Sequence, residues 1–316
     1  MDQRVTRRAL LALLGGAGAM ALGGCRRARA STPITATATQ AGRSVQELTV
    51  GGVARRYVRY EPPGLDPVAP VPLVLVLHGR GSNGTQAERL YDMREQSDAH
   101  GFVVAYPDAL GTPPGWNAGL GGVDSRTDDV GFIRALVDRE AGTRAIDPRR
   151  TFVCGHSSGG IMAYKLAGEA SDLFPAIGVV AGAIGYRLPS GSLLTIPTPE
   201  RPVSVIHFHG TDDPLVPYAG GASRWPVRFV SVADSIGFWV AQDGCDPAPT
   251  GETIGVSRRE TYGGGHDGSV VTLWTIQGGG HGWPKTSGFA SVAVSPAGIS
   301  ATELIWAFFA DHPRSP

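Results

Sequence analysis

Neither sign of charge is in excess in this sequence, because 28 Lys and Arg residues balance 28 Asp and Glu residues. Proteins that bind nucleic acid or an acidic membrane surface generally carry a positive excess, so the composition argues against both kinds of partner. The chain also has no internal repeat, which argues against a repeat array. Its apolar fraction of 42% is sufficient for a globular core.

No apolar run has the length that a membrane-spanning helix normally needs. The longest apolar or small stretch covers residues 9–24, and sixteen residues suit the apolar region of a signal peptide. Three arginines precede it within residues 4–8, and the adjacent pair is compatible with twin-arginine export. The stretch ends in Leu22-Gly23-Gly24-Cys25, which resembles a bacterial lipobox with Cys25 as the lipid-bearing residue.

These patterns predict three segments. We expect residues 1–25 to be a lipoprotein-type signal peptide, residues 26–44 a flexible polar tether and residues 45–313 a single domain. The protein is then exported and meets the membrane only through a lipid on Cys25. An uncleaved anchor and secretion without a lipid are the alternatives.

A strand, a sharp turn bearing one serine and a helix follow one another around Gly155-His156-Ser157-Ser158-Gly159. The apolar run 151–154 precedes this G-x-S-x-G element, and a helical pattern follows it. Such a turn strains the serine and brings the residues on either side of it close together, where glycine avoids a clash. We predict that Ser157 is a nucleophile; the alternative is an ordinary helix N-cap.

Residues that would activate this serine follow later in the chain. A serine hydroxyl needs a histidine as base and an acid that orients the histidine. Asp213 follows the apolar run 203–208, and His281 lies in a glycine-rich loop after the apolar run 270–276. Because each group comes just after a predicted strand, we expect all three to meet at one edge of a sheet. Asp212 is the alternative acid.

An oxyanion formed in acyl transfer requires backbone N–H donors. In an elbow of this kind the residue after the nucleophile, here Ser158, supplies one of them. The second is expected from the glycine-rich loop after the buried run 72–77, where Arg80 is the candidate. We expect Gly79 to shape this turn and His78 to hold the loop.

As a set, these motifs resemble the secreted polyhydroxybutyrate depolymerase and feruloyl-esterase-type esterases, which are α/β-hydrolases related to family 1 carbohydrate esterases. The likeness covers about residues 49–312. It implies a nucleophile at Ser157, an acid at Asp213 and a base at His281, with no cofactor and no metal. The motifs that carry it are His78-Gly79, Gly155-His156-Ser157-Ser158-Gly159-Gly160, His209-Gly210-Thr211-Asp212-Asp213-Pro214 with Val216-Pro217-Tyr218, and Gly279-Gly280-His281-Gly282-Trp283-Pro284.

Members of this family often carry a cysteine before the histidine strand that can pair with one near Cys245. Here that region reads Tyr262-Gly263-Gly264-Gly265. Cys154 lies in a predicted central strand, and nothing places it close to Cys245. We therefore expect both cysteines to be unpaired.

Strand-like and helix-like segments alternate along the chain, which predicts a doubly wound α/β fold with a mostly parallel sheet and helices on both faces. The resemblance implies the α/β-hydrolase version of this fold. The last helix shows the clearest buried face, formed by Ala301, Leu304, Ile305, Phe308 and Phe309. The predicted strands are 54–60, 73–77, 102–106, 151–154, 176–181, 203–208 and 270–276, and the other predicted helices are 86–99, 130–141, 158–170 and 233–242.

Four other residues have two interpretations each. Asp128 and Asp129 either cap the helix that begins near residue 130 or help to order the active-site loops. Trp116 and Trp283 either bind substrate in the cleft or belong to the packed core.

The alternation of His207 and His209 with Phe208 places both histidines on one face of a strand, next to the Asp pair. This group mimics a metal cluster, but the resemblance implies no metal. We therefore expect no metal site.

The resemblance implies an extracytoplasmic serine esterase that hydrolyses carboxylic esters through an acyl-enzyme. Polyhydroxyalkanoates and feruloyl or acetyl esters of polysaccharides are the implied substrate classes. No insertion between the predicted strands looks like a closing lid, so we expect an open cleft, bulky or polymeric esters as substrates, and a monomer. The alternatives are an acyltransferase that passes the acyl group to a sugar or lipid alcohol, and a non-catalytic surface lipoprotein.

Overall fold

The computed structural model describes residues 41–118, 127–286 and 298–315. Six helices are described in these ranges: α1 Gly84–Tyr91, α2 Met93–His100, α3 Asp129–Thr143, α4 Ser158–Glu169, α5 Val232–Gln242 and α6 Ala301–Asp311. The strands are β1 Arg43–Val50, β2 Val53–Tyr60, β3 Val71–Leu77, β4 Val103–Pro107, β5 Ile146–His156, β6 Ala176–Val180, β7 Gly185–Arg187, β8 Leu193–Thr195, β9 Ser204–Gly210, β10 Gly221–Ala222, β11 Arg228–Phe229, β12 Thr250–Ile254, β13 Ser257–Tyr262 and β14 Val271–Ile276.

Ten of these strands form one sheet, in the order β1-β2-β4-β3-β5-β6-β9-β14-β13-β12. The neighbouring strands from β4 to β14 pair in parallel, and antiparallel strands complete both edges. Every residue of β3 is buried, as expected of a strand covered on both faces. The predicted mostly parallel α/β sheet is therefore confirmed.

Helices cover both faces of this sheet. Leu73, Leu75 and Leu77 of β3 belong to a core that also contains side chains of α3, α4 and α5. Val74 and Val76 belong to a second core that contains side chains of α1, α2 and α6. Alternate residues of one strand thus face opposite helix layers, because successive side chains of a strand point to opposite faces. The predicted buried face of α6 is confirmed, with Leu304 partly buried and the other four residues buried.

Three features of the fold differ from the sequence prediction. The single helix predicted over residues 86–99 is two helices, because Asp92 adopts a left-handed conformation with φ 52° between α1 and α2. The edge strand β1 and the hairpin β12–β13 were not predicted. No residue of β12 is buried, so this strand lacks the apolar alternation by which a half-buried strand is recognised.

A second, four-stranded sheet in the order β10-β11-β7-β8 was also not predicted. Its strands have only two or three residues each, which is too short for a periodic pattern. Its buried residues Tyr186 and Phe229 cluster with Ile161 in the first turn of α4, together with Val227 just before β11. This small sheet therefore lies against the start of the helix that follows Ser157.

The predicted signal peptide, the lipobox with Cys25 and most of the predicted tether lie outside the described residues. Among the described helices, none combines the length and the apolar character needed to span a membrane. Cys154 and Cys245 are both buried and unpaired, as predicted.

Candidate active site

Four loops that carry predicted site residues leave the sheet at the same edge. The register pairs Leu77 with Gly155, His156 with Val180 and Ile276 with Gly210. Because β3, β5, β9 and β14 are parallel, their carboxyl ends lie side by side. The sheet therefore brings together the loops that contain Arg80, Ser157, Asp213 and His281.

Ser157 occupies a strained turn between β5 and α4. Its backbone has φ 56° and ψ −121°, and its N–H donates to the Val180 carbonyl over 2.8 Å. A positive φ costs a residue with a Cβ about 1–2 kcal/mol, so the surrounding packing must hold this conformation. A Cβ on Gly155 would lie 2.4 Å from the backbone of Gly159. The two glycines are therefore required by the close approach of strand and helix.

Asp213, and not its neighbour Asp212, contacts His281. Nδ1 of His281 lies 2.7 Å from Oδ2 of Asp213, whose side chain is fully buried. Oδ1 of Asp213 accepts the N–H groups of Leu215 and Val216 over 2.8 and 2.9 Å. Asp212 is exposed, and among the described residues its side chain accepts only from the Thr211 hydroxyl.

The loop after β9, which carries Asp213, and the loop after β14, which carries His281, are joined by hydrogen bonds. The N–H of Asp212 donates to the Gly279 carbonyl over 2.9 Å, and the N–H of Gly278 donates to the Thr211 hydroxyl over 2.8 Å. A Cβ on Gly210 would lie 2.1 Å from the Gly279 carbonyl oxygen. Glycine at position 210 therefore permits the approach that holds His281 against Asp213.

Behind Asp213, a buried chain of hydrogen bonds continues into the core. The Tyr164 hydroxyl lies 2.6 Å from Nδ1 of His207, and Nε2 of His207 lies 3.0 Å from Nδ1 of His209. Nε2 of His209 donates to the Val216 carbonyl over 2.8 Å and lies 3.3 Å from Oδ2 of Asp213. The two histidines share a face, as predicted, but their ring nitrogens are occupied by each other and by these partners.

With both histidines neutral, only one placement of the protons satisfies every contact in this chain. The Val216 carbonyl can only accept, so His209 carries its proton on Nε2 and accepts at Nδ1 from His207. His207 then accepts at its own Nδ1 from the Tyr164 hydroxyl. Burial, together with the proximity of His209, holds the pKa of His207 well below its ordinary value and favours this neutral form.

The pKa of Asp213 reflects its partners. Burial alone raises this pKa, but the contacts with His209 and His281 and the backbone N–H of Val216 outweigh burial and hold it below the ordinary range. Asp213 is therefore a carboxylate in the folded protein. With Nδ1 of His281 donating to that carboxylate, the neutral ring has Nε2 as its acceptor.

Ser157 and His281 line one cavity of about 200 Å³. Gly79 and Arg80 from the loop after β3 line it as well, and a Cβ on Gly79 would lie 3.5 Å from Ser157 Cβ. The N–H of Ser158 lies in the first turn of α4, where a helix cannot supply its own acceptor. The structure thus brings the two predicted oxyanion donors, Arg80 and Ser158, to the surroundings of Ser157.

His78 and Trp116 hold the loop after β3 through hydrogen bonds. Nε2 of His78 accepts the N–H of Ala109 over 3.0 Å, so Nδ1 carries the proton and donates to the Gly79 carbonyl over 2.7 Å. The indole N–H of Trp116 donates to the His78 carbonyl over 2.8 Å. Trp116 is only 1% exposed and does not line the cavity, so it belongs to the packed core and not to a substrate surface.

Trp283 does line the cavity. Its ring stacks on that of Tyr91 at 4.3 Å between centroids, and its indole N–H donates to the Thr302 hydroxyl over 2.9 Å. Both rings are almost entirely buried from solvent. They form a rigid aromatic wall beside His281.

The two aspartates at the start of α3 have separate contacts. Asp128 is the N-cap and accepts the N–H of Gly131 over 2.7 Å, as predicted. Asp129 is buried and accepts from Arg55 over 2.6 Å and from the backbone N–H of Asn117 over 2.7 Å. Asp129 therefore ties α3 to the loop that carries Trp116, which is the second interpretation above.

The chain is similar to several known esterases. Residues 125–227 match the Phospholipase/Carboxylesterase family. NocK of Nocardia uniformis subsp. tsuyamanensis, a protein named as an esterase, is 33% identical over 82% of this chain and 78% of its own length. Feruloyl esterase C of Emericella nidulans is 28% identical over 69% of this chain and 78% of its own length.

The chain belongs to the same family of α/β-hydrolase esterases as NocK. It is a carboxylic ester hydrolase. The solved structure of an acetyl xylan esterase from Aspergillus awamori shares the fold, with a TM-score of 0.53 at 17% identity, covering 75% of this chain and 94% of that one.

Several residues of the esterase cavity were not singled out from the sequence. Tyr91 ends α1, Arg224 and Trp225 lie in the turn between β10 and β11, and Lys285 follows the Trp283 loop. Tyr91 lies within a predicted helix that gave no sign of a role in the site, and the other three residues belong to no motif and no periodic pattern. His156 is the exception, since its position inside the G-x-S-x-G element marked it as a neighbour of Ser157.

Three buried histidines predict how the stability of the esterase depends on pH. Burial lowers the pKa of His78, His156 and His207, in the case of His156 to about 3. In the unfolded chain a histidine takes up its proton below about pH 6.5. The unfolded state therefore binds more protons than the folded state in mild acid, and stability falls as the pH decreases below this value.

One group acts in the opposite sense. Burial raises the pKa of Asp243 to about 7, so its carboxyl group remains protonated in the folded protein where the unfolded chain has already ionised it. It offsets one of the three histidines. We expect the free energy of unfolding in urea to be lower near pH 5 than near pH 7.5, by up to about 1.4 kcal/mol per pH unit for each uncompensated histidine. Asp243→Asn should steepen this loss, and equal stability at the two pH values would contradict the account.

Proposed function

We propose that the esterase cleaves its substrates with Ser157 as nucleophile, His281 as base and Asp213 as the acid that orients the base. The observation that carries this proposal is the 2.7 Å contact between His281 Nδ1 and the buried Asp213 carboxylate, beside the cavity that Ser157 lines. This contact leaves Nε2 of His281 as the only ring nitrogen that can accept a proton.

The reaction follows from this arrangement. Nε2 of His281 takes the proton of Ser157 as Oγ attacks the ester carbonyl, and the same proton then passes to the departing alcohol. Water next attacks the acyl-enzyme with His281 again as base, which releases the free acid and restores Ser157. The Asp213 carboxylate stabilises the positive charge that His281 acquires in both steps.

The oxyanion is received by the backbone N–H groups of Arg80 and Ser158. Supporting this assignment, Arg80 lines the cavity, and the adjacent Gly79 approaches Ser157. Hydrogen bonds of this type typically contribute about 3 kcal/mol each to stabilisation of the transition state. His78 and Trp116 position the loop through its carbonyl groups, so that the Arg80 N–H remains available.

The substrates are esters of an acid that fits an aromatic cavity, attached to a bulky or polymeric alcohol. Tyr91, Trp225 and Trp283 line the cavity, and flat aromatic walls favour a planar acyl group. The feruloyl esterase name of the relative from Emericella nidulans supports the same class. A cavity of about 200 Å³ holds the acyl group only, so the rest of a polymer would lie outside it.

Substitution of the two neighbouring aspartates tests the assignment of the acid. We expect Ser157→Ala to lower kcat/KM on p-nitrophenyl esters by about a thousandfold or more, and Asp213→Asn by about a hundredfold or more. Asp212→Asn is the matched control, because this exposed residue makes no contact with His281, and it should stay within about threefold of the unmodified enzyme. Unchanged turnover in Ser157→Ala, or a larger loss in Asp212→Asn than in Asp213→Asn, would refute the mechanism.

We further propose that the esterase works outside the cytoplasm, attached to a membrane by a lipid on Cys25. The support is the arginine-bearing, apolar segment that ends in Leu22-Gly23-Gly24-Cys25. In a bacterial host, the full chain should incorporate labelled palmitate and sediment with membranes, whereas Cys25→Ser should do neither. An unlabelled full chain released into the medium would show secretion without an anchor.

A further inference from the structure

The cavity that Ser157 and His281 line has three cationic side chains in its lining. Arg80, Arg224 and Lys285 all contribute to its walls, and no Asp or Glu lines it in the described part of the chain. Arg80 comes from the loop after β3, Arg224 from the small sheet and Lys285 from the histidine loop. Three separate segments of the chain thus place cationic side chains in the lining of one cavity.

Two of these cations lack a carboxylate partner among the described residues. Lys285 pairs with Asp92, so its charge is compensated. Arg80 and Arg224 form no ion pair within the described ranges, and the Arg224 guanidinium lies 4.7 Å above the Trp225 ring. The internal segments outside the description contain one acidic and one basic residue, Asp124 and Arg126, and so add no net charge.

Cationic side chains in the lining contribute little to the binding of a neutral ester, whereas an anionic substrate can form charge-assisted hydrogen bonds with them. Guanidinium groups present planar, bidentate donors that match a carboxylate. A cleft lined by charges of one sign also raises the local concentration of the opposite ion. The stacking of Arg224 on Trp225 restricts the side chain and lowers the entropy that binding would cost.

We infer that the preferred substrates of this esterase carry a carboxylate close to the ester bond, and that Arg224 is the residue that selects for it. This inference rests on the proposed function, because it concerns the same cavity. The carboxylate belongs either to the acyl half or to the alcohol half of the ester, because both halves lie next to Ser157 when the ester bond is attacked. Esters of dicarboxylic acids and esters of hydroxy acids represent the two sources.

Two matched pairs of substrates separate these sources. The mono-p-nitrophenyl ester of adipic acid carries the charge on the acyl half, and its methyl ester is the neutral partner of nearly equal size. 4-Acetoxybenzoate carries the charge on the alcohol half, and methyl 4-acetoxybenzoate is its neutral partner. We expect kcat/KM to be about tenfold higher for the charged member of at least one pair at low salt.

Arg224→Gln should reduce this preference to below about threefold, because it should lower kcat/KM for the charged esters more than kcat/KM for the neutral esters. Arg224 is exposed and contacts none of the proposed catalytic groups, so the variant should fold. Arg258→Gln is the matched control, because Arg258 is an exposed arginine on β13 that does not line the cavity. Raising the ionic strength from about 0.05 to about 0.5 M should weaken the preference in the unmodified enzyme.

The outcomes distinguish this inference from the proposed function. Equal rates for both members of each pair, in an enzyme that hydrolyses neutral esters and loses that activity in Ser157→Ala, would overturn the anionic specificity alone. A preference that persists unchanged in the double variant Arg224→Gln/Lys285→Gln would also overturn it. If no ester of either pair is hydrolysed, the proposed function fails together with the inference.

Discussion

The buried carboxylate of Asp213 is the group on which the geometry of this site depends. A charge removed from water is costly unless it is fully hydrogen-bonded. Here two backbone N–H groups donate to Oδ1, and both His281 and His209 contact Oδ2. These contacts hold the imidazole of His281 in one tautomer, and they join the loop after β9 to the loop after β14. The position of His281 is thus set by the hydrogen bonds that the buried Asp213 carboxylate requires.

The sequence predicted the parts of this site that follow from strand order. In a parallel sheet, the residues just after each strand meet at one edge, so Ser157, Asp213 and His281 were expected together although they lie far apart in the chain. The choice of Asp213 over Asp212 was less secure from the sequence, because it depends on how the loop turns. The contact with Val216 and the approach of Gly210 to Gly279 decide that turn, and neither has a pattern in the sequence.

The sequence did not predict several residues of the cavity wall. The strands that carry Arg224 and Trp225 between them are too short for a periodic pattern, and Asp92 interrupts a segment that has a continuous helical pattern. Arg224 nevertheless contributes to the positive charge of the cavity lining, and Trp225 contributes to its aromatic surface. The candidate site therefore follows from the order of the strands and of the loops after them. Part of its cavity wall comes instead from irregular segments that only the folded chain brings together.

The most direct test of the central claim is reaction of the full chain with a fluorophosphonate, followed by mass-spectrometric mapping of the modified residue. Phosphonylation requires a serine whose proton a neighbouring base removes. The account predicts stoichiometric modification of Ser157, and strongly slowed modification in His281→Gln. Absence of modification in the folded enzyme, or modification of a different serine, would contradict it.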